Sequence, residues 1–288
     1  MSMTTETADK RLSGTGFLIA LGILVVVNLA VGMFFAPRHV VLQHAPVVQL
    51  PNFLHVLGVP GEWMPAHVTF TWLVMAILVV MGVLGTRALR PVPGPLQNFA
   101  EVVIEAFYGL LDQMIGKQGR QFLPLIGTLG VFILMGNYMG LVPGLMAPTS
   151  SINVTLGCAI TVWVYYHMQG VKEQGLWPYL KHFAAPPGAP ILIAPIMLPI
   201  EIISHLSRVM SLSLRLFGNI FGEELVIMIL FSIVPFLVPL PMMLLGLVTG
   251  GLQAFIFVLL TVIYLQGAVT HHEEAHGAGA HAEPVAAV

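Results

Sequence analysis

The chain has 288 residues, of which 57% are apolar and only 8% are charged, far below the roughly 25% charged share of a soluble domain. Its 11 basic residues nearly balance its 13 acidic ones, which argues against nucleic acid or an acidic molecule as a partner. The single cysteine, Cys158, excludes a disulfide within the chain. Apolar runs of about 20 residues, the length that crosses a hydrocarbon core, recur along it. The composition therefore predicts an all-α membrane protein.

Six hydrophobic segments follow one another, at residues 16–35, 67–86, 122–143, 152–169, 190–233 and 241–269. The first could be a cleaved signal sequence, but it is long for one and lacks a clear cleavage motif, so we interpret it as a span. Residues 1–65 then form an N-terminal segment with this span and an extracytoplasmic loop. Residues 66–270 form the core, and residues 271–288 form a His- and Glu-rich tail.

Basic residues predict the orientation, because positively charged loops stay on the cytoplasmic side. With six alternating spans and the N-terminus inside, only Arg38 falls on the outer side. The basic residues that fall on the cytoplasmic side are Lys10, Arg11, Arg87, Arg90, Lys117, Arg120, Lys172 and Lys181. Both termini are therefore predicted to be cytoplasmic.

Between the second and third segments, Leu96–Met114 has the pattern of an amphipathic helix. Its polar residues include Glu101 and Asp112, and its apolar residues recur at helical spacing, at Phe99, Val103, Ala106, Phe107, Leu110, Leu111 and Met114. Such a helix lies along the membrane surface, either as a plain connector or as a docking site for a partner.

The last two segments are longer than one membrane crossing requires. A helix from Ile200 to Val234 would run roughly 50 Å, and one from Met242 to Val269 roughly 42 Å, against about 30 Å for the hydrocarbon core. We predict a steeply tilted hairpin, joined at Pro235–Pro241, that lies against another curved surface.

The fifth segment carries five charged residues, which cannot all face lipid: Glu201, Arg208, Arg215, Glu223 and Glu224. Seven-residue spacing puts the first three on one helix face, whereas Glu224 points to nearly the opposite side. Because no acidic residue lies three or four positions from Arg215, a helical ion pair is unavailable to it. We interpret Arg215 as a buried, fixed charge that a mobile partner approaches, with an internal salt-bridge network as the alternative. Arg208, nearer the cytoplasmic end, is interpreted as structural.

The run from Ser211 to Leu225 (SLSLRLFGNIFGEEL) resembles the signature of subunit a of F-type ATP synthases. The run from Gln253 to Leu265 resembles that family's last helix, Pro148–Thr155 a motif opening an earlier span, and Arg90–Glu105 its surface helix. The resemblance implies a non-catalytic, proton-translocating stator subunit in a bacterial inner membrane, offering two half-channels to a rotating c-subunit ring. It also implies peripheral-stalk b subunits and the rest of the ATP synthase as partners, membrane lipid as the surroundings, and no cofactor or metal.

The resemblance implies roles for individual residues. Arg215 would be the essential charge between the half-channels and Glu224 a half-channel acid, while other polar channel positions would be Asn219, Gln253 and Glu201. Secondary or structural positions would be Arg208, Ser211 and Asn153.

This chain departs from the family's pattern at two places. Many members carry a small neutral residue where Glu223 stands and an ionisable one where Gly246 stands, and here the two are reversed. We interpret Glu223 as a relay acid, with a merely paired acid as the alternative. Ser151 replaces an acid usual in the motif around Asn153, so we assign no ion-relay role to that loop.

Two other classes of function fit the sequence less well. A secondary ion-coupled transporter would predict an internal repeat and broken helices, which the sequence does not display. An intramembrane enzyme would need a nucleophile–base or metal constellation, and a GxSxG pattern is absent from the sequence. An ATP-forming chain would need a phosphate-binding loop, which is also absent. His205 and His167 are expected to be packing or interfacial residues. The tail histidines His271, His272, His276 and His281 are expected to form a mobile polar tail, with a metal site as the alternative.

Overall fold

The computed structural model describes residues 22, 66–87, 94–142, 145–175, 177–179, 194–233 and 238–280. The predicted first segment, 16–35, therefore lies outside the described residues except for Gly22. Every regular element of the described part is helical, which confirms the predicted all-α class. The long helices are α1 (Ala66–Arg87), α2 (Pro95–Met114), α3 (Leu123–Met139), α4 (Ile152–Gln174), α5 (Ala194–Ile233) and α6 (Pro239–Ala280), and short 3₁₀ helices occupy Lys117–Phe122 and Pro148–Ser150.

Three described segments are long and apolar enough to cross a membrane: His67–Gly85, Lys117–Met139 and Pro239–Ala268. They coincide with the second, third and sixth predicted segments. The total number of spans stays a prediction.

Proline and glycine mark several helix ends. Pro95 opens α2 after an extended Gly94, since proline at the first turn gives up an N–H that has no partner there anyway. After α2 the chain turns at Gly116, and after α4 at Gly175, with φ of 88° and 82°. Glycine adopts a positive φ without the steric cost that a β-carbon would bring.

The two long C-terminal helices have 40 and 42 residues, or about 60 Å each at 1.5 Å per residue. They pack against each other, as the predicted hairpin requires, and both also contact α4, while α6 contacts α3. Their tilt in the membrane stays a prediction. The apolar part of α6, Pro239–Ala268, agrees with the predicted hydrophobic segment, and the helix itself continues to Ala280.

The core lies where α3, α4 and α6 meet, around fully buried Phe132, Phe257 and Val162. Membrane helices associate through close packing rather than through release of water, so small residues matter at their contacts. Gly130 of α3 is such a contact, because a β-carbon there would lie 2.8 Å from Val258 Cγ2 and 3.0 Å from Phe107 Cζ.

The amphipathic helix α2 lies against the bundle through part of its predicted apolar face. Leu111 is fully buried and Phe107 reaches Gly130, whereas Phe99 and Ala106 are exposed in the chain alone. Contact of these two residues with the membrane surface or with a partner stays a prediction. At its C-terminal end Arg120 Nε donates to Asp112 Oδ1 over 2.9 Å. This bond lowers the pKa of the Asp112 carboxyl, although an exposed pair contributes little stability.

Candidate functional site

Arg215 lies on an exposed face of α5. Its Nη2 is 3.5 Å from Ser211 Oγ, and no carboxylate of the described residues lies within 4.0 Å of its guanidinium. The exposed side chains next to Arg215 along α5 include the apolar Leu206, Met210 and Leu214 and the polar Ser211 and Asn219. The chain's own helices therefore leave the guanidinium uncovered, and its depth in the membrane stays a prediction.

Two turns further along α5, Glu223 faces α6 across a cavity. Thr249 Oγ1 donates to Glu223 Oε2 over 3.0 Å, and a β-carbon built on Gly246 would overlap Glu223 Oε1. Glu223 therefore fills the space that a side chain at residue 246 would need. The cavity has a volume of about 340 Å³ and is lined by Asn219, Glu223, Met242, Leu245, Thr249, Leu252, Gln253 and Ile256.

Asn219 and Gln253 join in the same cavity, with Asn219 Nδ2 donating to Gln253 Oε1 over 2.9 Å. Gln253 is buried and Asn219 is exposed, so the pair spans from the helix contact to the surface. The structure thus brings together three of the predicted site residues, one carboxylate and two amides. The remaining lining is mainly apolar.

Glu224 points away from this cavity, towards the connector between α3 and α4. Its Oε1 accepts the backbone N–H of Ala147 over 2.6 Å and lies 3.0 Å from a β-carbon built on Gly140. Because neighbouring helical residues differ by about 100° in direction, adjacent carboxylates on α5 reach two different surroundings.

A buried hydrogen-bond network, not predicted from the sequence, holds this connector. Thr149 Oγ1 donates to Asn137 Oδ1 over 2.7 Å, and Asn137 Nδ2 donates to the carbonyl of Gly250 over 2.9 Å. The network ties the connector to α3 and α6 and so fixes the loop whose N–H meets Glu224. The sequence offered only an asparagine inside an apolar segment as a signal, because buried polar groups in membranes need partners.

The predicted residues Glu201 and Arg208 lie on α5 before Arg215. Glu201 Oε1 is 3.1 Å from His205 Nε2, and His205 Nδ1 is 2.5 Å from the hydroxyl of Tyr166. Arg208 lies over the ring of Tyr264 at 5.5 Å, an attractive cation–π arrangement that agrees with a structural role.

Asn153 is buried near the start of α4, and the nearby Thr155 Oγ1 is 3.2 Å from Ser213 Oγ of α5. This motif therefore joins two helices. Among the described residues, no group of three His, Cys, Asp or Glu side chains could hold a metal ion. The predicted tail histidines have no described side-chain positions.

The fold and these positions define a class of protein: a helical membrane protein whose two long C-terminal helices carry charged and amide side chains into an apolar bundle. Residues 68–266 match the family described as ATP synthase A chain. The relative "ATP synthase subunit a" of Trichlorobacter lovleyi is 49% identical over 228 residues, 79% of this chain and 94% of the relative. The "ATP synthase subunit a" of Geotalea daltonii is 46% identical over 233 residues, which are 80% of this chain and 99% of the relative.

The chain belongs to the ATP synthase A chain family. The predicted resemblance to subunit a of F-type ATP synthases is thereby confirmed. Family membership places the chain in the membrane sector of an ATP synthase, in ATP synthesis and proton transport. It favours this function over the secondary transporter and the intramembrane enzyme.

Proposed function

We propose that this chain is the non-catalytic stator subunit that carries protons past a rotating c-subunit ring in an F-type ATP synthase of a bacterial inner membrane. Its further partners are the peripheral-stalk b subunits and the rest of the complex, and both termini lie in the cytoplasm. One observation carries the proposal: Arg215 is exposed on α5, without a carboxylate partner among the described residues.

An exposed arginine at membrane depth requires a partner. Placing its charge in lipid costs about 2.5–3.5 kcal/mol on insertion scales. A passing surface that carries a carboxylate removes this cost each time the carboxylate meets Arg215. The apolar side chains around Arg215, such as Met210 and Leu214, suit contact with the apolar helices of such a surface.

The chemistry of arginine suits a fixed charge. A guanidinium stays protonated under all ordinary conditions, whereas burial can deprotonate a lysine. Its permanent charge favours the ionised form of a ring carboxylate and so makes that carboxylate release its proton. The same charge repels a proton that would otherwise pass directly between the two half-channels.

The polar groups on either side of Arg215 supply the half-channels. Along α5, Glu201 precedes Arg215 by about 21 Å and Glu223 follows it by about 12 Å, at 1.5 Å per residue. On the Glu223 side, the cavity with Asn219 and Gln253 provides carboxylate and amide groups for a proton and its water. Glu224 is a second acid on that side, and Glu201 serves the cytoplasmic side.

Replacing Arg215 tests the proposal directly. Arg215→Ala should abolish ATP-driven proton pumping in membrane vesicles while the complex assembles in normal amount, because the side chain is exposed and packs little. Arg120→Ala removes an exposed arginine outside α5 and serves as the matched control, with pumping near the unmodified level. Substantial pumping by Arg215→Ala would refute the assignment.

A further inference from the structure

A chain of three hydrogen-bonding side chains runs from the interior to the surface at the N-terminal part of α5. Tyr166 and His205 are buried, while 43% of the Glu201 side chain is exposed. The Tyr166 hydroxyl lies 2.5 Å from His205 Nδ1, and His205 Nε2 lies 3.1 Å from Glu201 Oε1. Both ring nitrogens of His205 are thus engaged, one by each neighbour.

The donor and acceptor roles of these three side chains follow from the carboxylate of Glu201. Ionised Glu201 can only accept, so His205 Nε2 must carry a hydrogen. In a neutral imidazole the other nitrogen is then an acceptor, and the Tyr166 O–H donates to it. Arg208, stacked over Tyr264 beside Tyr166, disfavours a second positive charge on the imidazole. The Nε2–H tautomer therefore satisfies both of these bonds to the ring nitrogens of His205.

We propose that His205 is a positioning residue for Glu201. Tyr166 fixes the ring of His205 and its tautomer, and His205 fixes the carboxylate of Glu201 on the face of α5 that leads to Arg215. Glu201 and Arg215 are fourteen positions apart, which places them within about 40° of each other around the helix. The proposal rests on the proposed function, in which Glu201 is a polar group of the cytoplasmic half-channel.

The packing around His205 separates this role from simple core filling. His167 of α4 lies beside it, with ring centroids 4.9 Å apart. The His167 ring, however, bonds through Nδ1 to the carbonyl of Trp163 in its own helix, over 2.8 Å. The two histidines share one aromatic cluster, while the bond to Glu201 comes from His205. His167→Ala is therefore the matched control for His205→Ala.

The test measures initial rates of ATP-driven proton pumping in vesicles, divided by the amount of assembled complex. His205→Ala should lower the rate at least about tenfold, as loss of an orienting partner does at metal sites, and Glu201→Gln, which removes the oriented carboxylate, should lower it at least as much. The double variant should pump no more slowly than the slower single variant, because His205 acts through Glu201. His205→Gln, whose amide can donate in place of Nε2–H, should recover at least half of the rate. His167→Ala should leave the rate unchanged.

Several results would overturn the positioning role. The losses of His205→Ala and Glu201→Gln could multiply in the double variant, or His205→Gln could be as slow as His205→Ala. Normal pumping by Glu201→Gln would also overturn it, and so would a loss of pumping in His167→Ala equal to that in His205→Ala.

A readout independent of pumping separates this inference from the proposed function. The ¹⁵N resonances of His205 in the assembled complex, identified by their loss in His205→Gln, should show the Nε2–H tautomer. An Nδ1–H tautomer or an imidazolium would overturn the positioning role, whatever Arg215→Ala shows. Pumping by Arg215→Ala would instead refute the proposed function and leave the observed tautomer untouched.

Discussion

Glu223 and Gly246 compete for one space between α5 and α6. A β-carbon on Gly246 would overlap Glu223 Oε1 and lie 2.7 Å from Leu141 Cδ2. Gly246→Ala alone should therefore displace Glu223 and break its 3.0 Å bond from Thr249. An off-rotamer side chain costs about 0.5–1.5 kcal/mol and a lost bond to a charged group about 1.5–3 kcal/mol. Because Glu223 Oε1 is the end of a flexible side chain, we expect a destabilisation of no more than the sum of the two, about 4.5 kcal/mol.

Glu223→Gly removes the carboxylate and the obstacle together. If Glu223 relays protons, this variant should lower flux at least about tenfold, since a proton-transferring group contributes about 10²–10⁴-fold in acid–base catalysis. The amount of complex should stay normal. Adding Gly246→Glu or Gly246→His should restore part of the flux, because side chains from helices about 8–10 Å apart reach the same cavity. Adding Gly246→Ala fills space without a titratable group and should restore none.

Passive proton flux and ATP-driven quenching of a pH-sensitive dye in vesicles would measure these effects, with complex content determined in the same membranes. Normal flux in Glu223→Gly would show that Glu223 is only a paired acid. Glu224 would then carry this part of the proton pathway alone. Equal recovery by Gly246→Ala and Gly246→Glu would contradict the relay, because space alone would then explain it.

Two further predictions concern topology and packing. Reporter fusions at Val288 and in the 170–188 loop should report the cytoplasm and one near Gly58 the opposite side, and a periplasmic signal from Val288 would contradict the six-span arrangement. Gly130→Val should lower the yield of complex on immunoblots by forcing α3 from α6, an overpacking cost of about 1–3 kcal/mol. Gly127→Val, whose added β-carbon meets only Leu123 Cδ1 at 4.0 Å, is its control, and equal yields would refute the packing argument.

Helix positions were predictable where apolar composition and helix termini coincide. The predicted segment 67–86 matches α1, and the 3.6-residue pattern of Leu96–Met114 matches α2. The predicted hydrophobic segment ends at residue 269, but hydropathy does not predict where α6 itself ends, at Ala280. No proline occurs between Pro241 and Ala280, so the backbone can continue beyond the apolar part.

Site residues were predictable within one helix, but their long-range contacts were not. The bond between Glu224 and Ala147 spans 77 positions, and no local pattern encodes it. His205 could have been linked to Glu201, because residues four apart share a helix face. The exposure of Arg215 could not be predicted from its segment alone, since it depends on which helices cover that face.

Residues Glu201 to Glu224 belong to one continuous helix, α5. One inserted residue between Arg208 and Asn219 would turn everything after it by about 100° and advance it by 1.5 Å. Glu223 would then leave Thr249, and Glu224 would leave Ala147, although every side chain would still be present. The number of residues in this stretch is therefore as much a part of the site as their identity, and a change in length harms it where many single substitutions would not.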